Sequence, residues 1–389
     1  MPINMLTRVH VKNFKSLLDT EILLSKNSFL IGINGTGKTS ILQVIDFLSV
    51  ISRGEGSFER WLGERSWDRK DLTFYGTKKT LIELEIDFNL EGQSYQWNMA
   101  FNSQSLKCST EKIVVLDEEK KKEELLTVDS GSYSIGKGKK EKINFKYTGS
   151  IVSGLKKEIL GEVLIKIHTF FAEIRSAELL SPILMKKKAR ESHDGIGLGG
   201  EKLSAFLNGL NRDKQEILKE KLIKFFPQIE TFETSSLRSG WKKLSLIENY
   251  SGNTIITEST HLSDGVLRIL AILAQLETTE SVLVFDEIED GINQEFVEKL
   301  VDVLVDSPHQ TIIATHSPLL LNYLEDDTAK KSMLFVYKTK EGVTKVKNFF
   351  EVLKSHQDIS NHEYDLFGPG ELMQRVNLIE LTEKIRVDG

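Results

Sequence analysis

The sequence predicts an α/β protein with a mixed, largely parallel core sheet, an antiparallel β subdomain and a helical subdomain. Three observations predict it. An apolar run of strand length at residues 28–33 ends in glycine and leads into helical spacing of Ile41, Leu42, Val44, Ile45 and Leu48. A second apolar run, residues 281–285, ends in the acidic pair Asp286-Glu287. Between residues 262 and 324, helical and strand patterns alternate as they do in βα units.

In chain order, residues 6–11 and 20–24 read as short strands before the run at 28–33. The helix over residues 39–50 follows the glycine turn. From 81 to 88 apolar and acidic residues alternate, as in a sheet with one wet face, and residues 95–101, 112–116 and 142–147 continue a β-meander. The lysine-rich tracts 118–124 and 137–142 read as solvated loops between these strands. Residues 155–171, 202–210 and 213–226 are helical, and 243–258 returns to short strands. A hairpin is expected around 334–346 and a helical stretch near 372–385. There is no heptad array and no internal repeat.

Bulk composition narrows the function classes. With 40% hydrophobic and 28% charged residues, the chain is of ordinary globular type. A net charge of −6 means that any contact with DNA or RNA must come from a local basic patch. Cys108 stands alone, so an intrachain disulfide and a cysteine-cluster zinc site are excluded. The N-terminal residues are interrupted by Arg8, His10, Lys12 and Lys15, unlike a signal peptide. No window reaches the roughly 18 apolar residues of a membrane span. A cytoplasmic protein without a membrane partner is expected.

Gly32-Ile33-Asn34-Gly35-Thr36-Gly37-Lys38-Thr39 fits G-x-x-x-x-G-K-[ST] and stands between an apolar strand and a helix. Glycines let the backbone wrap closely around a phosphate, and successive N–H groups at the helix start face the anion. Asn34, Gly35, Thr36, Gly37, Lys38, Thr39 and Ser40 are therefore expected to hold a nucleotide, with Lys38 supplying charge at the β- and γ-phosphates. The Thr39 hydroxyl is expected to ligate Mg²⁺. Asp286, at the end of a buried strand, would share that ion. Glu287 would orient and activate water. A third strand, 311–314, ends in Thr315-His316-Ser317-Pro318, which sets His316 at the same edge, within reach of a γ-phosphate and its attacking water. Lys38, Glu287 and His316 form the expected catalytic set.

Leu262-Ser263-Asp264-Gly265 precedes an apolar helix at 266–276. It resembles the signature motif of ABC-type ATPases, and the order of motifs matches the ABC/SMC/RecF branch. The resemblance implies an ABC-type P-loop ATPase head with ATP and Mg²⁺ as cofactors. It also implies that Ser263 and Gly265 act on the ATP of a second subunit, so that a homodimer, or a higher oligomer built from it, sandwiches nucleotide. The opening Val11-Lys12-Asn13-Phe14-Lys15-Ser16 is similar to the first strand of RecF-like and SMC-like heads. A narrower resemblance is to the AAA-type ATPases related to OLD-nuclease and Gabija heads. It rests on Ile174-Arg175-Ser176, the run from Gly195 to Leu210, Asp-Glu-Ile-Glu with Gly291, and Thr-His-Ser. Departures are Asp264 in the signature, Ile288 where transporters carry proline, no placeable Q-loop glutamine, no coiled-coil arms and no appended nuclease motif.

On this resemblance the chain divides into residues 1–80, the N-terminal part of the core with the phosphate loop, and 81–150, a β-rich insertion. Residues 151–242 form a helical subdomain, 243–330 the rest of the core, and 331–389 a C-terminal hairpin and helix. The function it implies is an ATPase that pairs head to head on ATP and controls a partner effector, such as a nuclease or toxin, in anti-phage defence. Nucleic acid could be sensed through residues 186–190 and Arg238, Lys242 and Lys243, each of which also reads as plain solvated surface. The alternatives are an ATP-binding scaffold for a nuclease complex with little turnover, a DNA-repair ATPase and a transporter subunit.

Overall fold

The computed structural model describes residues 3–116, 122–191, 195–278, 282–356 and 366–388. Three sheets organise them. The outer sheet begins with β1 (Met5–Phe14) and β2 (Leu17–Leu23), and the core sheet with β3 (Asn27–Ile31). Helix α1 (Lys38–Arg53) and α2 (Ser57–Glu64) follow. The outer sheet then resumes with β4 (Leu81–Leu90), β5 (Gln93–Asn102), β6 (Lys107–Leu116), β7 (Lys122–Asp129), β8 (Ser132–Ile135) and β9 (Glu141–Lys142). Its order is β2-β1-β4-β5-β6-β7-β8-β9, antiparallel throughout.

After α3 (Lys157–Ala172) comes β10 (Arg175–Ala177), then α4 (Pro182–Met185), α5 (Leu203–Gly209) and α6 (Arg212–Phe225). Strands β11 (Ile229–Ser236), β12 (Lys242–Tyr250) and β13 (Asn253–Glu258) form a small antiparallel sheet. The core resumes with α7 (Asp264–Gln275), β14 (Val282–Asp286), α8 (Gln294–Asp306), β15 (Gln310–Ala314) and α9 (Pro318–Asn322). It ends with α10 (Asp326–Ser332), β16 (Met333–Lys338), β17 (Thr344–Asn348), α11 (Phe349–His356), α12 (Pro369–Arg375) and α13 (Leu378–Asp388). The core sheet has the order β10-β14-β15-β3-β16-β17, parallel except for the last pair.

This sheet is buried on both faces, which explains its uninterrupted apolar strands. Leu283, Phe285, Ile313, Phe29, Ile31 and Phe335 point into one cluster, shared with α5 to α9 and the C-terminal helices. Val282, Val284, Ile312, Leu30, Leu334 and Val336 point the other way, into a cluster shared with α1, α3 and the outer sheet. The outer sheet has a single core face. Ile82, Leu84, Ile86 and Phe88 are buried, while Arg8 on the other face is ion-paired with Glu21, Glu85 and Asp87. Helix α1 begins at Gly37, whose φ of 109° suits only glycine comfortably, and stops at Gly54.

Several sequence expectations change. Residues 142–147 do not form a strand beyond Lys142; Phe145 and Tyr147 pack ring against ring and find no ladder partner. The lysine-rich tract at 118–124 runs into β7 from Lys122, where Leu126 and Val128 point into the core; residues 117–121 lie outside the described set. In the β-rich region over 81–150, β4 extends the sheet that β1 and β2 begin. The region 151–242 is only partly helical: β10 joins the core sheet, and β11 carries the small one. The hairpin near 334–346 is part of the core sheet, since β16 pairs in parallel with β3.

Candidate functional site

Strands β14, β15 and β3 are neighbours running the same way, so their C-terminal tips open onto one edge. Such an edge collects loops and helix starts and is where open α/β sheets bind ligands. Residues 32–39 leave β3 here and enter α1. Close approach, as well as the turn, demands glycine at Gly32 and Gly37. A Cβ on Gly32 would lie 2.2 Å from the Val336 carbonyl oxygen, and one on Gly37 2.2 Å from the Thr344 hydroxyl. Thr344 of β17 fixes the loop from outside. Its hydroxyl donates to the Thr36 carbonyl at 2.7 Å, its amide donates to the Ser16 carbonyl at 2.9 Å, and its carbonyl accepts from Thr20 at 2.7 Å.

Lys38 is buried, with its amine 2.8 Å from the Gly32 carbonyl and 3.2 Å from that of Ile33. Burial pushes its pKa down to about 8, against the opposing pull of Asp286 and Glu287. The Thr39 hydroxyl donates to Asp286 Oδ2 at 2.8 Å, linking residues 247 positions apart. Burial raises the Asp286 carboxyl, and this bond and Lys38 work the other way. A hydroxyl and a carboxylate in contact are hard oxygen donors that fit Mg²⁺. Two protein oxygens suit an ion that keeps waters and borrows phosphate oxygens. Asn34 and Gly35 are exposed at the mouth of the loop, Thr36 is buried beneath it, and Ser40 lies half-buried in the first turn of α1.

Glu287 follows Asp286 at φ 47°, a strained angle for a residue with a side chain. Its amide donates to the Ala314 carbonyl at 2.9 Å, which holds it against the neighbouring strand tip. His316 Nε2 lies 3.6 Å from Glu287 Oε1. Burial lowers the imidazole, with Lys38 adding to the effect. Burial also raises Glu287, reinforced by Asp290 and Asp286. Both shifts disfavour charge on their own group, so burial weakens any ion pairing across this contact. The set Lys38, Thr39, Asp286, Glu287 and His316 is thus assembled by adjacent strand tips.

Ser263, Asp264 and Gly265 are placed differently. Ser263 caps α7, accepting from the Val266 amide at 3.4 Å. Gly265 lies against the turn after β14, where an added Cβ would stand 3.1 Å from the Gly291 carbonyl oxygen. Asp264 pairs with Lys186 at 2.9 Å. The two basic stretches also converge: the Lys242 amide donates to the Ala189 carbonyl at 2.7 Å, and the Arg190 guanidinium stands 5.2 Å from the Trp241 ring centre. Lys243 is occupied by Glu258.

Sequence reasoning missed three groups. Glu289 Oε1 accepts from the Thr315 hydroxyl at 2.7 Å and from the His316 and Ser317 amides at 3.1 Å, pinning the histidine turn. Its place in Asp-Glu-Ile-Glu was the available signal. Thr344 had none. At the tip of β10, beside β14, stands Glu178 and no glutamine. Glu178 accepts from Gln43 of α1 at 3.2 Å and from Arg65 at 2.8 Å, and Arg65 also meets Asp46 at 2.8 Å. This buried group ties the phosphate-loop helix to the edge strand of the core.

No helix among the described residues is long and apolar enough to cross a membrane. No curated protein matches the sequence at a significant level. Among solved structures, an SMC head bound to the C-terminal winged-helix domain of ScpA is similar, with a TM-score of 0.54 at 15% identity, over 89% of this chain and 99% of that one. An SMC head with an extended coiled coil from Pyrococcus furiosus, bound to the C-terminal domain of ScpA, gives 0.52 at 15%, over 91% and 98%. At such identity the likeness establishes the fold, that of an ABC/SMC-type head. Residues 28–322 match the family described as "AAA domain, putative AbiEii toxin, Type IV TA system". Residues 32–39, 262–265, 286–287 and 315–317 all fall within that span, and the chain belongs to this family, with the fold of an ABC/SMC-type head.

Proposed function

We propose that this protein hydrolyses ATP as a pair of heads and uses the paired state to control a partner effector in anti-phage defence. The observation that carries the catalytic part is the Thr39–Asp286 contact of 2.8 Å beside Glu287 and His316 at 3.6 Å. Lys38 and the loop amides bind the phosphates, and Thr39 with Asp286 hold the Mg²⁺ that offsets phosphate charge. Glu287, its carboxyl held up by burial and neighbouring acids, is suited to accept a proton from water that His316 helps to orient. In trans, Ser263 and Gly265 close the site.

Pairing and effector control rest on the family and on the likeness to SMC heads. Light scattering of Glu287→Gln with and without ATP tests pairing: mass should double with ATP, and a mass indifferent to nucleotide would refute it. Nucleic acid is proposed as a ligand at the face where residues 186–190 meet 238–243. Salt-dependent DNA affinity lost on reversing the charges of Lys187 and Lys188 is the expected result, and no affinity at all removes the idea.

A further inference from the structure

The signature of this chain carries a carboxylate where head pairing would bring a phosphate. Asp264 is the first residue of α7, between the capping Ser263 and Gly265, and its side chain is 61% exposed. Beside a γ-phosphate an uncompensated carboxylate would repel the ligand that the signature must hold. The structure answers with Lys186, whose Nζ lies 2.9 Å from Asp264 Oδ1 across 78 residues of sequence.

This cation is fixed in place by its surroundings. Met185, the preceding residue, is fully buried in the core. The Lys186 amide donates to the Pro182 carbonyl at 3.0 Å, and its carbonyl accepts from the hydroxyl of buried Ser259 at 3.2 Å, three residues before Leu262. The backbone of Lys186 is therefore bolted to the turn that leads into the signature. Its side chain, 29% exposed, is held in turn by Asp264. Lys187 and Lys188 share the segment but have no such tie to α7. A stretch that looked like a plain basic patch thus contributes one of its lysines to the signature itself.

We propose that Lys186 is a phosphate-contacting residue acting in trans: it rests on Asp264 in the single head and bridges Asp264 and the γ-phosphate of the partner subunit's ATP in the pair. This rests on the reading of head pairing. In the pair Asp264 holds the ammonium at the correct height, and the ammonium cancels the carboxylate that the phosphate would otherwise meet. The carboxylate and the lysine form one unit, which accounts for an acid at a position where repulsion alone would forbid it.

Substitution tests the unit. Lys186→Ala should weaken ATP-dependent pairing and lower turnover about tenfold or more, the scale of a lost charge-assisted hydrogen bond. ATP affinity of the isolated head, measured with a fluorescent analogue at high dilution, should not change. Asp264→Asn added to Lys186→Ala should restore pairing to within about threefold, because the unpaired carboxylate is then gone. An equimolar mixture of Lys186→Ala and Lys38→Ala proteins should turn over ATP faster than either alone, since one composite site regains both halves. Pairing and turnover unchanged in Lys186→Ala would overturn the proposal, as would a mixture without recovery or a drop in melting temperature that Asp264→Asn leaves in place. So would lost DNA affinity with intact pairing. A Glu287→Gln protein that stays single with ATP refutes head pairing itself, and this inference with it.

Discussion

The phosphate-loop side and the signature side of the molecule are built in opposite ways. On the first, five candidate residues follow the ends of three adjacent parallel strands, and hydrogen bonds or close contacts tie four of them in place: Thr39 to Asp286, Glu287 to Ala314 and to His316. On the second, Ser263 caps its own helix and Gly265 leans on the Gly291 turn, so the motif is held up by local structure and one imported lysine. The difference teaches where each side gets its precision. A sheet edge holds its candidate residues against one another, whereas the turn at 262–265 is held by its own helix and its immediate neighbours.

The largest break in that comparison should come from the cis side. Glu287→Gln should reduce steady-state turnover about 100-fold or more while ATP still binds, a split visible between phosphate release and nucleotide titration. If it leaves the rate unchanged, the protein is an ATP-binding scaffold. Next, Glu289→Gln should cost about tenfold in turnover, with nucleotide affinity nearly unaltered. It weakens three hydrogen bonds that set the histidine turn without touching the phosphate loop.

Thr344→Val should lower unfolding free energy by about 1–3 kcal/mol, since the buried Thr36 carbonyl loses its donor. Chemical denaturation measures this, and nucleotide affinity should fall with it. The smallest effect is protonic. The Lys38 pKa, near 8, lies below the 10.5 of an unfolded lysine, so above pH 8 the folded head holds fewer protons than the unfolded chain. Stability contributed by this group therefore rises with pH from about 8 to 10.5. Phosphate binding requires the charged amine. Titration calorimetry at pH 8–9, in buffers of different ionisation enthalpy, should show proton uptake on ATP binding, absent in Lys38→Met.

The sequence carried the convergence of Lys38, Thr39, Asp286, Glu287 and His316 well, because each follows the end of a recognisable apolar strand. It carried less where partners are distant or signals short. β10 has only three residues, too few for any periodicity, yet it delivers Glu178 beside the acidic strand. β11 reads Ile-Glu-Thr-Phe-Glu-Thr-Ser-Ser, polar enough to disappear next to two helices, and its pairing with β12 rather than its composition makes it a strand. Residues 142–147 had aromatic strand character, but opposite Lys142 stands Ser132, the first residue of β8, so the partner strand ends there. Thr344 is 308 positions from the carbonyl it supports, a relation that no local pattern encodes.

The position of β16 and β17 bears on how the protein is made. β3 obtains one of its two neighbours from residues 333–335, and the phosphate loop receives its outer clamp from residue 344. During translation the loop at 32–39 therefore lacks this clamp until residue 344 has left the ribosome. A nascent or prematurely terminated product ending before this hairpin would contain every motif named above and still lack a neighbour of β3 and the clamp on residues 32–39.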